Sequence, residues 1–260
     1  MALLTVLLSA SASLQTASAQ SAPQAPATVA AVDAAFFAGR TADALTLCDS
    51  LLAHDSTNIE ILWRASRAAL ALGINSARQE ADNPMYLRAE ALARTAAQRH
   101  PKRIEGHYWL SAALGRRALH ADLRTTVRLA KTTYDAALHA LAIDSMHAGA
   151  NNVIGKLNSE VRKFPAIYRI IAGRLLGLSV ANHTSWELAE RHLRRAVDLD
   201  PAMVLYRLDL GELYVRMGRR ADAERLLREA IALPRVQPVD ATLQREAVAL
   251  LEAATAKSQP

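Results

Sequence analysis

The chain has a single cysteine, Cys48, in 260 residues, which excludes an internal disulfide. Cys48 sits in an apolar helical stripe, ALTLCDSLL, where a small core residue is expected rather than a reactive thiol. Glycine and proline are scarce, at 10 and 9. Alternating runs rich in Val, Ile and Thr are missing too, and without them no strand is required. Plentiful alanine and leucine then favour an all-α protein. Catalytic patterns are also lacking: there is no GxSxG, no HExxH, no P-loop glycine pattern and no CxxC. The eight histidines are scattered; His100, His107, His139 and His147 flank helix–helix turns, where surface histidines are ordinary. No metal, no cofactor and no enzymatic chemistry are expected. No nucleic-acid motif accompanies the net charge of +6, and no nucleic-acid partner is expected. The charge is uneven: residues 86–131 carry ten Lys/Arg against Glu90, Glu105 and Asp122. That excess suits a solvated basic face, an acidic partner or anionic lipid heads.

What the chain does have is repetition. Residues 204–233 read VLYRLDLGELYVRMGRRADAERLLREAIAL, two amphipathic helices around a turn at Gly218-Arg219-Arg220. Gly211 and Ala223 are small where the helices must approach, and Leu210, Tyr214 and Leu227 fill the seam. Asp200-Pro201 closes the preceding helix, since proline cannot continue one. The same order recurs upstream. Gly39 and Gly73 lie 34 residues apart, the period of a tetratricopeptide repeat (TPR). One such unit cannot bury its own apolar face, so five are expected in a right-handed α-solenoid over residues 28–256. Polar insertions are expected within repeats two and three, at 74–84 and 117–125. An apolar inserted helix is expected within repeat four, at 164–183. Thr184 and Glu187 have the spacing of a capping box. Asp240 is placed to cap a last helix with a more polar outer face.

Residues 1–19, MALLTVLLSASASLQTASA, read as a secretory signal: an apolar core, a small polar region, then Ala17-Ser18-Ala19. Cleavage after Ala19 and a periplasmic or otherwise exported location are expected. The apolar run is too short to span a membrane. Residues 20–27, QSAPQAPA, are a linker.

From about residue 59 to 255 the chain resembles the TPR domain of the regulator of microtubule dynamics family, its bacterial members in particular. HYWLSAALG (107–115), HAGANNVIGKL (147–157), HLRRAVDLDP (192–201), the stretch 205–234 and VDATLQREAVALLEA carry the likeness. The resemblance implies an α-solenoid without enzymatic chemistry. Some eukaryotic relatives are associated with microtubules or organelle contacts, and a lipid-holding TPR cavity has been proposed for them. The export signal speaks against a cytoskeletal role here. A weaker resemblance is to periplasmic TPR proteins that accompany TRAP-type solute transporters.

The inner faces of the first helices are the candidate binding surface. Repeat one offers Phe36 and Phe37; repeat two, Trp63 and Arg67; repeat three, Tyr108 and Arg116. Repeat four offers Asn152, Lys156 and Glu160, and repeat five Leu208, Glu212 and Arg216. Aromatics beside cations and an amide suit a peptide or protein partner, since apolar bodies bind and polar heads orient. They also suit an anionic lipid or amphiphile. For that ligand the insertions would fold over the groove, with Phe164, Ile167, Ile171 and Leu175 as an apolar wall opposite Trp63 and Tyr108. Arg67, Arg116 and Lys156 would then neutralise the head.

Overall fold

The computed structural model describes residues 28–163 and 184–256. Among these it contains eleven α-helices and no strand. They are α1 (Val29–Phe37), α2 (Thr41–Leu52), α3 (Ile59–Ile74), α4 (Pro84–Arg99), α5 (Ile104–Leu119) and α6 (Leu123–Ile143). After them come α7 (Ala148–Arg162), α8 (Trp186–Leu199), α9 (Val204–Arg216), α10 (Arg220–Ala232) and α11 (Asp240–Ala256). None of the described helices is long and apolar enough to cross a membrane. Helices pair in order: α1 with α2, α3 with α4, and so on to α9 with α10, while α11 packs on α9 and α10.

Two of the repeats turn on a left-handed glycine. Gly39 and Gly218 have φ of +78° and +72°, a region closed to most side chains. At both, the residue after the glycine donates its N–H back across the helix end: Arg40 to Ala35 O at 2.9 Å and Arg219 to Tyr214 O at 2.9 Å. This Schellman-type closure satisfies carbonyls that a helix end leaves free and sends the chain back antiparallel. Within the pair, Gly211 lies so close to α10 that a Cβ would come within 3.0 Å of Leu227. Leu210, Tyr214, Ala223, Leu227 and Ala230 are all buried, so the small–large seam forms as the sequence predicts. A tighter approach occurs at Gly106, where a Cβ would meet the backbone N of Ala97 at 2.5 Å. Alanines at 93, 96 and 97 keep the facing side of α4 flat enough for this.

Cys48 is fully buried and its thiol is pushed up to about 12, first by burial and then by neighbouring Asp49. That is the inert core cysteine the sequence suggests.

Three local expectations change. The connection after α5 is shorter than the 117–125 insertion, because α5 continues to Leu119 and α6 begins at Leu123. Asp122 caps α6 by accepting from Thr125 N at 3.0 Å, so most of the supposed loop is helix. Repeat four starts its closing helix from Ser185, which accepts from Leu188 N at 3.0 Å; the cap is therefore one residue later than Thr184. Asp240 opens α11 but faces backwards, accepting from Val236 N and Gln237 N at 2.8 and 2.7 Å. The expected signal and linker, the inserted segment 164–183 and its residues Phe164, Ile167, Ile171 and Leu175 lie outside the described residues.

The C-terminal helix does more than cap the array. Asn75, at the end of α3, donates to Pro238 O at 3.0 Å and accepts from Thr242 Oγ1 at 2.8 Å. Val239 packs against the apolar cluster of the first two repeats as well as against that of the last. The start of α11 thus spans from repeat five back to repeat two.

Candidate functional site: the walled groove

First helices of successive repeats stand side by side, so their inner faces form one surface. The start of α11, tied to Asn75, stands over one side of that surface and gives it a further wall. The result is a partly open cavity of about 1010 Å³, at the upper end of the range for small-molecule pockets. Phe36, Arg67, Tyr108, Asn152, Lys156 and Leu208 mark its inner wall from repeat one to repeat five. The 74–84 connection contributes Ile74, Ser76 and Gln79, and α11 closes the rim with Thr242, Arg245 and Leu250.

Of the twelve inner-face residues expected to face a ligand, nine line this cavity: Phe36, Arg67, Tyr108, Arg116, Asn152, Lys156, Glu160, Leu208 and Glu212. Phe37, Trp63 and Arg216 do not. Trp63 stacks on Trp109, with ring centroids 6.5 Å apart, and donates from Nε1 to Glu60 at 3.2 Å. Arg216 lies behind the wall, donating to Ser159 Oγ at 2.7 Å and to Glu160 at 2.8 Å, and also to Glu212. Among the lining groups that sequence reasoning missed are Trp109, Asp209, His120 and the α11 residues. Trp109 follows Tyr108 directly and had a signal in HYWLSAALG. The α11 residues had none, because a terminal helix carries no sign of where the superhelix will bring it.

The charges within the groove are placed very differently from one another. Arg67 is held: it donates to Asp33 at 2.6 Å, and its guanidinium lies 3.9 Å from the Phe36 ring centroid. This is cation–π packing of an already paired cation. Lys156 is more completely occupied. It donates to Asp209 at 2.7 Å and to Glu212, with Glu160 at 3.9 Å. Burial alone would lower the Lys156 pKa, but these three carboxylates outweigh it and raise it. Burial would raise Glu212, and Lys156 and Arg216 outweigh that in turn and hold it low. Lys156 is thus fully committed within the wall, which withdraws it from the anion-neutralising role that its position suggested.

Asn152 extends this network. Its Nδ2 donates to Asp209 Oδ2 at 2.8 Å, while its buried Oδ1 has no partner among the described residues. Tyr108 lies beside Gly149, where any Cβ would come within 2.6 Å of the ring and its hydroxyl. Burial pushes the Tyr108 hydroxyl up to about 12, so it stays protonated at neutral pH.

A walled groove on an array of helix pairs defines the class, a TPR α-solenoid. Residues 28–255 match the family described as RMD1-3, regulator of microtubule dynamics protein 1-3, and the chain belongs to that family. Among solved structures it resembles TTC0263, a thermophilic TPR protein of Thermus thermophilus. The likeness has a TM-score of 0.59 and 22% identity, over 86% of this chain and 96% of that one. YrrB, a TPR protein with an unusual peptide-binding site, aligns more loosely, with a TM-score of 0.42 and 15% identity over 85% of this chain and 90% of that one. A curated relative, protein O-mannosyl-transferase F38B6.6 of Caenorhabditis elegans, is 41% identical over 58 residues. Those residues are 22% of this chain and span only 8% of that relative's length.

Proposed function

We propose that this chain is a non-enzymatic scaffold that holds a peptide segment of a protein partner in its walled groove. The observation that carries this reading is the walled groove itself, in which Asn152, Asp209 and Glu212 set polar groups along one side. Tyr108, Leu208 and Leu70 supply apolar surface for side chains. The A-x-A pattern at Ala17-Ser18-Ala19 supports export, with the mature chain beginning at Gln20; mass spectrometry of the purified protein's N-terminus checks this.

The test of the main reading is capture. Immobilised protein should retain a partner from an envelope extract, and Ala112→Trp, which fills the cavity from α5, should abolish retention while leaving the helical circular dichroism intact. Turnover of a substrate with no partner retained would sink the scaffold reading.

A small amphiphile is the second reading, favoured by the apolar strip of Leu70, Ile74, Leu205 and Leu250 along the cavity. An acyl chain there gains about 0.8 kcal/mol per buried methylene. A peptide also meets the polar groups of Asn152, Asp209 and Glu212 on the same wall, which is why the peptide reading stands first.

A further inference from the structure

Helix α11 is anchored firmly to repeat five. Gln244 is buried at its base: Nε2 donates to Ile231 O at 3.0 Å and to Leu233 O at 2.8 Å, and Oε1 accepts from Arg235 Nε at 2.7 Å. Leu243 and Ala247, both buried, pack with Val204, Leu208 and Leu227 of α9 and α10. Asp240 fixes the turn before the helix through Val236 N and Gln237 N. The end of α3 is held as firmly on the other side. Gln79 folds the 74–84 connection back on itself, donating to Ile74 O and Ser76 O at 2.8 Å each and accepting from the Tyr86 hydroxyl at 2.6 Å.

Between these two firm bodies lies a thin seam. Asn75 donates to Pro238 O at 3.0 Å, and Thr242 Oγ1 donates to Asn75 Oδ1 at 2.8 Å; both bonds are exposed. Arg245 donates to the same Thr242 oxygen at 2.9 Å, so the seam is a short relay from Arg245 through Thr242 and Asn75 to Pro238. Val239, partly buried, is its apolar part and touches the clusters of both ends of the array. The helix-to-helix packing of α11 goes to α9 and α10. Exposed hydrogen bonds between buried cores part at a fraction of the global unfolding free energy. Repeats of a solenoid contact mainly their neighbours, so small rotations at successive repeats add up between α3 and α11.

We propose that this seam is the gate of the groove: the chain opens by parting α11, carried on repeat five, from the end of α3, and a ligand enters between them. Residues on both sides of the seam line the cavity, Ile74, Ser76 and Gln79 on one and Thr242, Arg245 and Leu250 on the other. Parting the seam therefore widens the cavity directly. A ligand seated across it holds the two sides together, so binding and closure favour each other. The gate is independent of whether the groove takes a peptide or an amphiphile.

A cysteine inside the groove reads the gate without any ligand. Ala112→Cys places a thiol on the cavity wall from α5. The native Cys48, fully buried and with its pKa pushed up to about 12, is the silent control. The intact chain is labelled in parallel with iodoacetamide, which is small, and with fluorescein maleimide, which is bulky. Adding Thr242→Val, which removes one bond of the seam, should raise the maleimide rate about fivefold, and adding Asn75→Ala, which removes both, on the order of twentyfold. The iodoacetamide rate should change little. Equal maleimide rates in the three proteins would overturn the gate. A rise shared equally by both reagents would overturn it too, since the wall would then be loosened in general. Labelling of Cys48 in the Asn75→Ala protein would have the same force, because the contact would then hold the whole fold rather than its entrance.

Discussion

The two walls of the groove treat charge in opposite ways. On the α7–α9 wall, Lys156, Arg216, Asp209, Glu212 and Glu160 form a chain of ion pairs. On the α5–α11 wall, Arg116, Arg245 and Glu246 make no ion pair among the described residues. Both walls come from the same repeat architecture, so the difference lies in the side chains. The first wall is a closed network in which every charge answers another, and its work is holding repeats four and five in register. The second wall keeps its cations available. A basic residue in a groove is therefore a poor guide to ligand charge until its partners are known.

The sharpest way to break the comparison is to unbalance the closed wall. Asp209 is buried and joins α9 to α7 through both Asn152 and Lys156. Asp209→Ala should destabilise the fold by about 3 kcal/mol, because it leaves a largely desolvated lysine short of its best partner. Urea unfolding with an unchanged m-value would measure it. Arg116→Ala in the same assay is the control for the open wall.

Acid should separate the walls by pH. Glu212 has its pKa lowered in the folded state, so its contribution is present above the unfolded carboxylate value, about 4.3, and is lost as pH falls through the folded value. His120 is also lowered, by burial and Arg116. A histidine held neutral stabilises the fold above its unfolded pKa, about 6.5, and that share fades as pH falls below it. His147 and His192 are lowered as well, each first by burial. Stability should therefore decline in two stages on acidification, the first below about pH 6.5 and the second below about pH 4.3. His120→Asn should shrink the first stage and leave the second. A single transition insensitive to that substitution would contradict the assignment.

How much of this was legible beforehand follows from the separation between partners. The repeat period was readable because its contacts recur at that period: Arg67 meets Asp33 across 34 residues, one TPR unit. Gly39 and Gly218 were readable because tight turns between amphipathic helices call for glycine. Lys156 was placed on the groove, but its partners on α9 lie more than fifty residues away, and only the superhelical twist sets which side chains meet. The contact from Asn75 to Thr242 spans 167 residues. No local pattern encodes it, so α11 read as a cap rather than as a wall. The cap at Ser185 was missed for a smaller reason, since Thr184 and Ser185 are both good N-caps and only backbone geometry chooses between them.

The closure at α11 can be weakened alone. Asn75→Ala removes both hydrogen bonds that tie α3 to the start of α11. Each such bond is worth about 1 kcal/mol net, and both are exposed to solvent, so the global cost should be at the low end. The local effect should be clearer: amide exchange at the start of α11 should quicken, while exchange in α7 and α9 stays slow. Uniform quickening would mean that the two walls are not independent.

The smallest effect belongs to Arg116, and its smallness is what makes it informative. A charge that holds the fold together leaves an unpaired neighbour behind when it is removed, as Asp209 does. Arg116 leaves none, because no described group is hydrogen-bonded or ion-paired to it. Its removal also lifts the repulsion that Arg116 exerts on a protonated His120. Arg116→Gln should therefore change the unfolding free energy by no more than about 0.5 kcal/mol, the range of a surface substitution, and should shrink the first acid stage slightly. Measured beside Asp209→Ala in the same denaturant series, it separates a charge bound into the fold's ion-pair network from one that stands outside it. A loss of about 2 kcal/mol or more, the size expected when a buried polar interaction breaks, would place Arg116 in the structural network and erase the contrast between the walls.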